Sequence, residues 1–276
     1  MSDVIAFIGG GNMATSLIGG LLAAGRPPHQ LRACEVDTDR AAGLRTRFGI
    51  VVSAAAADVV AGAGTLVLAV KPQQMAEALR ACAPKPGTTI VSIAAGVRLS
   101  ALEAALGPAM HYVRAMPNTP ALVGAGITGL FAKPGTPDDA RNRAEAVLAT
   151  AGPVVWLPQE SDLDAVTALS GSGPAYVFLL VEAMREAGAA LGLAPETAAR
   201  LAAQTCVGAA RMIAQAETDP RELRRQVTSK GGTTEAAVKV LEDGGLRTLF
   251  ASALTAAARR SKELGDELDT PPRSPA

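Results

Sequence analysis

Short apolar runs alternate with amphipathic stretches over the first 160 residues of the chain. The runs are rich in β-branched residues and bounded by turn formers, and they predict strands at Val4–Ile8, Leu31–Val36, Val51–Val52, Thr65–Val70, Thr89–Ile93, His111–Val113, Ile127–Phe131 and Val154–Leu157. The stretches between them predict helices, among them one that stops at Gly25 and others at Arg40–Phe48 and Gln73–Cys82. Strands that alternate with helices are typical of a parallel, doubly wound α/β sheet.

From about Ser161 the strand-like runs disappear and alanine- and leucine-rich segments with helical spacing follow. They predict helices at Asp162–Leu169, Pro174–Leu191, Pro195–Ala214, Pro220–Val227, Thr233–Leu241 and Leu246–Leu264. Pro174 and Pro195 stand where proline opens a helix well, and Gly192 and Gly265 stand where helices stop. We therefore predict an α/β domain over residues 1–160, an all-α domain over residues 161–268 and a disordered, proline-rich tail over residues 269–276.

Charge and cysteine content exclude several classes of protein. Lys and Arg number 26 and Asp and Glu also number 26, so the positive excess that holds a nucleic-acid backbone is missing and no nucleic-acid partner is predicted. The three cysteines form no CxxC pair, which argues against a disulfide framework and a zinc site, and no metal is predicted. The N-terminus is not basic and its apolar run is too short for a signal peptide or a membrane span, so we expect a cytoplasmic protein with no membrane partner.

A glycine-rich turn follows the first predicted strand. Gly9-Gly10-Gly11-Asn12-Met13-Ala14 fits the pattern G-x-G-x-x-A at the opening of a helix. In that pattern the first glycine allows the tight turn, the second lets the backbone approach a pyrophosphate, and the small last residue permits close packing of helix on strand. The turn predicts a Rossmann-type dinucleotide-binding domain; the alternative is a glycine turn that serves packing alone.

Acidic residues at the end of the second predicted strand bear on which dinucleotide binds. Glu35 and Asp37 both stand about where an acid accepts a hydrogen bond from the adenosine ribose, and an acid there favours NADH over NADPH. A 2′-phosphate would be repelled unless Arg40, one helical turn away, pairs with it. We expect both NADPH and NADH to serve, with NADH used relatively well; the alternative is a solvated carboxylate at the strand end.

Three further motifs follow strands of the same sheet, where ligands of open α/β sheets lie. They are Ala69-Val70-Lys71-Pro72, Ala94-Ala95-Gly96 and Met116-Pro117-Asn118-Thr119-Pro120. The two prolines around Asn118 predict a rigid turn that aims its amide at a ligand, the alternative being an ordinary proline-rich connection.

The helical half contains two small-residue motifs and little acid–base machinery. Ser170-Gly171-Ser172-Gly173-Pro174-Ala175-Tyr176 joins two helices, where a close helix crossing is the structural alternative. Thr228-Ser229-Lys230-Gly231-Gly232-Thr233-Thr234 precedes another helix and predicts a carboxylate cradle, with a simple N-cap by Thr233 as the alternative. The two histidines, His29 and His111, fit no catalytic triad, so an imine that carries its own proton suits the chain better than an unactivated ketone.

Taken together, the motifs IGGGNMA, AVKPQ, SIAAG, RAMPNTPALVGAGITGL, DAVTALSGSGPAY and TSKGGTTEAAVKVLE resemble those of the pyrroline-5-carboxylate reductases, from about residue 4 to residue 265. That resemblance implies reduction of 1-pyrroline-5-carboxylate to L-proline with NADPH or NADH, the last step of proline biosynthesis. It also implies a homodimer built on the helical domain, in some members assembled further into a ring.

The resemblance assigns roles to individual residues. The pyrophosphate is expected at Ile8, Gly9, Gly10, Gly11, Asn12 and Met13, and the ribose and nicotinamide side at Ala69, Val70, Lys71, Pro72, Ala94, Ala95 and Gly96, with Asn118 near the nicotinamide. The substrate carboxylate is expected at Ser229, Gly232 and Thr233, and the catalytic Thr234 is expected to hydrogen-bond the ring nitrogen. Glu160 and Gln226 correspond to residues near bound proline.

Three positions depart from the family pattern, and two other functions stay open. Lys230 replaces the usual Pro or Asn, Glu35 stands where Ser or Asp is frequent, and Ala56 stands where Asn is frequent. One alternative is a two-domain dehydrogenase of the β-hydroxyacid type, which relies on a lysine in a central helix; the predicted helices Pro174–Leu191 and Pro195–Ala214 contain none. The other is a non-catalytic dinucleotide-binding regulator, which leaves the small-residue motifs of the helical half without a purpose.

Overall fold

A computed structural model of the protein describes residues 4–216 and 218–269. Eight strands form one sheet, and each overlaps a predicted strand. The strands are β1 (Ile5–Ile8), β2 (Leu31–Cys34), β3 (Val51–Ser53), β4 (Thr65–Leu68), β5 (Thr89–Ser92), β6 (His111–Pro117), β7 (Thr128–Ala132) and β8 (Val154–Trp156). Of the predicted disordered tail, Asp269 ends the last helix and residues 270–276 lie outside the described residues.

The strand order is β3-β2-β1-β4-β5-β6-β7-β8, which is the doubly wound arrangement. Neighbouring strands run parallel from β3 to β6, but β7 runs antiparallel to β6, with Val113 opposite Ala132. The prediction of an entirely parallel sheet is therefore wrong at this edge. The link from β6 to β7 contains only a 3₁₀ segment, Thr119–Val123, and is too short for the crossover that parallel strands need.

Twelve α-helices accompany the sheet in the described part of the chain. They are α1 (Asn12–Ala23), α2 (Thr38–Phe48), α3 (Ala56–Val60), α4 (Met75–Arg80), α5 (Leu99–Leu106), α6 (Asp138–Leu148), α7 (Asp162–Val166), α8 (Gly173–Ala190), α9 (Pro195–Gln215), α10 (Pro220–Gln226), α11 (Thr233–Asp243) and α12 (Leu246–Asp269). The short helices α3 and α5 and the charged α6 had no predicted counterpart. The sequence predicted that the last helix stops at Gly265. The structure instead places Gly265 inside α12, so this prediction is wrong.

The first compact unit contains residues up to Ser172 together with those from Ala256 onward. Its sheet is covered on both faces, and the residues of β1, β4 and β5 are all buried. On one face α1 contributes Leu17 and Ile18, and on the other α5 contributes Leu99 and Leu102. Burial on both faces explains why these strands are nearly continuous apolar runs. The packed core thus fixes the positions of the carboxyl ends of these strands.

The second compact unit contains Gly173–Thr255, which spans α8 to α11 and the beginning of α12. The helices α8 and α9 pack closely where a Cβ at Gly188 would lie 3.3 Å from the Cβ of Ala198. Tyr176 and Phe250 meet edge to face, with ring centroids 6.4 Å apart. By length and composition alone the stretch Asp162–Ala190 is apolar enough to cross a membrane, and little of it is buried in the single chain. A helix whose apolar surface is covered by another protein chain can have the same composition as a membrane-spanning helix.

Candidate functional site

A cleft of about 340 Å³ opens at the carboxyl ends of β1, β2 and β4. Its lining contains seven of the predicted cofactor-binding residues, namely Ile8, Gly9, Gly11, Glu35, Ala69, Val70 and Lys71. This is the position at which the reversal of strand order in a doubly wound sheet creates a ligand-binding crevice. The structure therefore brings the glycine-rich turn, the acid after β2 and the motif after β4 into one site.

The glycine-rich turn has the geometry that its sequence predicts. Gly9 has φ +98°, and a Cβ there would lie 2.8 Å from the carbonyl oxygen of Ala69, so only glycine fits. A Cβ at Gly11 would meet no atom within 4 Å, so the backbone at this point faces open space. Gly11 is the N-cap of α1 and provides no side-chain cap, so the first N–H groups of the helix, at Asn12 and Met13, have no intrahelical acceptor. These donors suit an anion.

Glu35 and Asp37, the two candidate acids, differ in what they contact. Glu35 is buried, and its carboxylate accepts hydrogen bonds from the N–H of Gly10 at 2.9 Å and the N–H of Asp37 at 2.8 Å. Asp37 instead caps α2, where it accepts the N–H of Arg40 at 2.9 Å. The guanidinium of Arg40 lies 3.6 Å from Glu35 and 3.4 Å from Asp37. Asp37 is therefore explained by the helix start, while Glu35 belongs to the cleft.

Several lining residues escaped the sequence prediction. Ala54 follows β3, and Gln74, Ala78 and Ala81 lie along the 3₁₀ segment Pro72–Gln74 and α4. The last three residues are spaced i, i+4, i+7, so they share one face of a helix. This spacing could have predicted them as lining residues, because a helix was already expected after β4. Ala78 and Ala81 keep part of this wall small and apolar, while Gln74 and Glu77 add polar side chains to it.

Cys34 ends β2 and lines the same cleft. Burial raises the pKa of the Cys34 thiol, and the negative charges of Glu35 and Asp58 raise it further. Its Sγ donates to the carbonyl oxygen of Ala54 at 3.5 Å. The thiol is therefore kept protonated and acts as a small apolar wall of the cleft.

Several predicted cofactor-binding residues do not line this cleft, namely Asn12, Met13, Pro72 and the motif after β5. Gly96 has φ +79°, and a Cβ there would lie 3.3 Å from the Leu268 side chain and 3.4 Å from the backbone nitrogen of Gly265. Arg98 forms an ion pair with Asp266 beside this contact. The loop Ala94–Ala95–Gly96 thus packs on the end of α12, which explains a glycine inside that helix.

Asn118 uses both ends of its amide within the protein. Its Oδ1 accepts the N–H of Ile127 at 2.9 Å, and its Nδ2 donates to the carbonyl oxygen of Ser170 at 3.2 Å. Ser170 belongs to a π-helical turn, Thr167–Gly171, that continues α7. The sequence predicted an amide aimed at a ligand; the structure instead shows one that braces the turn after β6. Its expected place near the nicotinamide stays a prediction.

Glu160 lies in the first unit and connects three elements. Its Oε1 accepts the N–H of Leu99, the first residue of α5, at 2.8 Å and lies 3.2 Å from the guanidinium of Arg114 on β6. Arg114 is 6% exposed, so this is a nearly buried ion pair. Sequence reasoning expected Glu160 near the substrate, and what the structure adds is a stabilising role.

The loop before α11 forms the candidate carboxylate cradle. Ser229 to Gly232 make a β-turn closed by the N–H of Gly232 and the carbonyl oxygen of Ser229, 3.0 Å apart, with Gly231 at φ +72° in the third position. Such a turn requires glycine third but accepts most residues second, so Lys230 fits where the family usually has Pro or Asn. Glu235 accepts the N–H of Gly231 at 2.7 Å.

The residues around that turn complete the cradle. Gly232 is the N-cap and Thr233 the first residue of α11, so the interpretation of Thr233 as N-cap is wrong. Thr234 follows within the first helical turn, and Gln226 ends α10, where its amide donates to Glu222. Ser229, Gly232, Thr233 and Thr234 are thus neighbours at a helix N-terminus, where N–H groups and hydroxyls suit a carboxylate.

No group of three or more His, Cys, Asp or Glu side chains arranged to hold a metal ion occurs within residues 4–216 and 218–269.

Comparison with known proteins agrees with this geometry. Residues 160–264 match the family model of pyrroline-5-carboxylate reductase dimerisation, and residues 4–96 match that of coenzyme F420-dependent NADP oxidoreductases. The pyrroline-5-carboxylate reductase of Pseudomonas aeruginosa is 50% identical over 266 residues, which cover 96% of this chain and 97% of that protein.

Two solved structures have the same fold over nearly the whole chain. A pyrroline-5-carboxylate reductase from Coxiella burnetii is 43% identical with a TM-score of 0.90, covering 96% of this chain and 99% of its own. The Plasmodium falciparum pyrroline carboxylate reductase, solved with NADP bound, is 26% identical with a TM-score of 0.82, covering 95% and 98%. These similarities confirm the family and fold expected from the motifs, an α/β sheet followed by a helical dimerisation domain. The chain belongs to the pyrroline-5-carboxylate reductase family.

Proposed function

We propose that this protein reduces 1-pyrroline-5-carboxylate to L-proline with NADPH or NADH, the final step of proline biosynthesis. The observation that carries the proposal is the 50% identity to a pyrroline-5-carboxylate reductase over 96% of the chain. The glycine-rich turn at the cleft and the hydroxyl-rich turn before α11 support it independently, because they supply the binding chemistry that a dinucleotide and a small carboxylate require.

The residues of the cleft fit a nicotinamide dinucleotide. The open space at Gly11 and the uncapped N–H groups of Asn12 and Met13 suit a pyrophosphate, and Ala69 to Lys71 line the adjoining cleft. When bound, NAD(P)H supplies the hydride that reduces the C=N bond. The protein then has to orient the two reactants and exclude water between them.

The turn before α11 is the proposed substrate site. The hydroxyl and backbone groups of Ser229, Gly232 and Thr233 hold the carboxylate at the positive end of the helix. The hydroxyl of Thr234 hydrogen-bonds the ring nitrogen. We also propose that Glu160 and Gln226 border the bound ring. Because a protonated imine is already electrophilic, this arrangement works through orientation rather than through a strong general base.

The helical domain, residues 161–268, is proposed to bind substrate and to form a homodimer. Helix α8 exposes 63% of Phe178 and 65% of Leu179, and Leu249 of α12 is 64% exposed. Apolar surface of this extent marks an interface, and a second copy supplies the matching one. Further assembly into a ring of dimers and a cytoplasmic location belong to the same proposal. Light scattering at micromolar protein concentration tests the oligomeric state, and a monomer contradicts the proposed homodimer.

The decisive assay follows NAD(P)H absorbance during addition of racemic 1-pyrroline-5-carboxylate and identifies the product by chiral amino-acid analysis. The expected product is L-proline, formed in equimolar amount to the oxidised cofactor. Oxidation of β-hydroxyacids with NAD⁺ is the matched alternative reaction. Turnover there but not with the pyrroline supports the alternative dehydrogenase, and nucleotide binding without turnover of either supports a regulator.

A further inference from the structure

Glu35 occupies the position from which an acid ordinarily reads the adenosine ribose, but its carboxylate is turned to the protein. One oxygen accepts the N–H of Gly10 at 2.9 Å, and the other accepts the N–H of Asp37 at 2.8 Å. The same second oxygen lies 3.6 Å from the guanidinium of Arg40. The Glu35 side chain is 6% exposed. Little of the carboxylate is left for a ribose hydroxyl.

The Gly10 contact links this carboxylate to the pyrophosphate-binding turn. Gly10 is the central glycine of that turn, and a Cβ there would lie 2.6 Å from Leu44 and 3.1 Å from a Glu35 oxygen. Glu35 and Leu44 therefore hold Gly10 from one side, while Gly9 is fixed by its bond to the carbonyl oxygen of Cys34 at 2.9 Å. A hydrogen bond from a backbone N–H to a carboxylate is among the stronger ones in proteins.

Arg40 has the most exposed side chain of this cluster. Its side chain is 57% exposed, lines the cleft, and is directed by Glu35 at 3.6 Å and Asp37 at 3.4 Å. A guanidinium at the end of β2 can pair with a 2′-phosphate through two parallel N–H donors. The partly exposed Asp37 is its nearer acidic neighbour.

We propose that Glu35 is a positioning residue that holds the pyrophosphate-binding turn, and that Arg40 sets the discrimination between NADPH and NADH. The proposal rests on the proposed dinucleotide cofactor but not on the proposed substrate. It replaces the expectation from sequence alone, in which Glu35 itself selects between the two cofactors. Glu35 affects the binding of both dinucleotides, because both share the pyrophosphate, whereas Arg40 affects only the one that carries a 2′-phosphate.

Binding of two nucleotide fragments to the full-length protein tests the proposal without any turnover. Isothermal titration compares adenosine 2′,5′-bisphosphate with AMP for the wild type, Glu35→Gln and Arg40→Gln. Arg40→Gln is expected to weaken the binding of the bisphosphate about tenfold, since one charge-assisted contact is lost, and the binding of AMP less than about twofold. Glu35→Gln is expected to weaken the binding of AMP about tenfold and that of the bisphosphate by less, because the lost carboxylate charge lies 3.6 Å from Arg40 and its removal favours the 2′-phosphate. Arg47→Gln, on the same helix but packed over Phe48 at 4.8 Å, is the matched control and should change neither.

Three outcomes overturn the proposal. One is an unchanged affinity ratio in Arg40→Gln, and another is a Glu35→Gln variant that binds the bisphosphate more tightly than the wild type does. The third needs no variant: the Gly10 amide is expected to be protected from hydrogen exchange in the wild type, and fast exchange contradicts the bond to Glu35. Failure of these tests leaves the pyrroline assay unaffected, and failure of that assay leaves these binding ratios measurable.

Discussion

Replacing Glu160 with Ala removes the carboxylate that pairs with the guanidinium of Arg114. Arg114 is 6% exposed on β6, and the same Glu160 oxygen accepts the first N–H of α5, at Leu99. The variant leaves a buried cation and a helix N–H without this acceptor. Removing one partner of a buried ion pair costs about 3–5 kcal/mol. Because the Glu160 side chain is 25% exposed, water reaches part of the space, and we expect a loss of about 2–3 kcal/mol.

Thermal unfolding at a fixed protein concentration measures this loss. For a unit of about 150–250 residues, each kcal/mol lowers Tm by about 2–4 °C, so Glu160→Ala is expected to lower it by about 4–12 °C. Glu160→Gln keeps an acceptor of the same length and should lose less than half as much. The kcat/KM of Glu160→Gln separates a structural role of Glu160 from a role near the substrate. If the role is purely structural, kcat/KM stays near that of the wild type.

Glu103→Ala is the matched control for the stability measurement. Glu103 pairs with Lys133 at the surface, where the two side chains are 36% and 45% exposed. An exposed pair contributes at most about 1 kcal/mol. If Glu160→Ala lowers Tm no more than Glu103→Ala does, the buried pair has no special role and the reasoning is refuted.

Three more predictions concern activity, packing and pH. Thr234→Ala is expected to lower kcat/KM about 10–100-fold, the effect of one charge-assisted hydrogen bond, with the Kd for NADPH unchanged; an unchanged kcat/KM in steady-state assays contradicts its role. Gly20→Ala should lower Tm because its Cβ would lie 2.7 Å from the Thr150 carbonyl oxygen, whereas Gly19→Ala, 3.5 Å from the nearest side chain, should raise the free energy of unfolding by up to about 1 kcal/mol. Burial raises the pKa of the Cys82 thiol to about 11, so between pH 9 and pH 11 the folded state keeps a proton that the unfolded chain loses. The folded state therefore loses stability over this range, and the urea concentration at the unfolding midpoint should fall as the pH rises from 9 to 11. The fall should be less steep in Cys82→Ser.

Burial patterns made the strands predictable, but strand direction depends on the connection. The apolar runs of β1, β4 and β5 are buried on both faces, so periodicity and length identified them. The direction of β7 follows from the length of the link after β6, which hydrophobicity does not encode. Helix α6 escaped prediction because two of its four buried residues are alanines that lie among charged residues, Ala140 and Ala144.

The candidate site divides in the same way. The glycine-rich turn was predictable because a positive φ at Gly9 and the close approach to Ala69 leave a signature in residue type. The partners of Glu35 and Asn118 were not, since a side chain that hydrogen-bonds the backbone of a distant turn has no local pattern. Sequence alone therefore located these residues at the ligand-binding edge, but it could not tell a ligand contact from a structural bond.

The two outer strands of the sheet, β3 and β8, are each three residues long. So brief a row of unpaired N–H and C=O groups is a poor template for another chain, although Val51 and Val155 are about half exposed. The sheet therefore offers little backbone for sideways growth into fibres. Contact between copies is left instead to the apolar helices of the dimerisation domain, whose two-fold pairing in the proposed homodimer closes on itself.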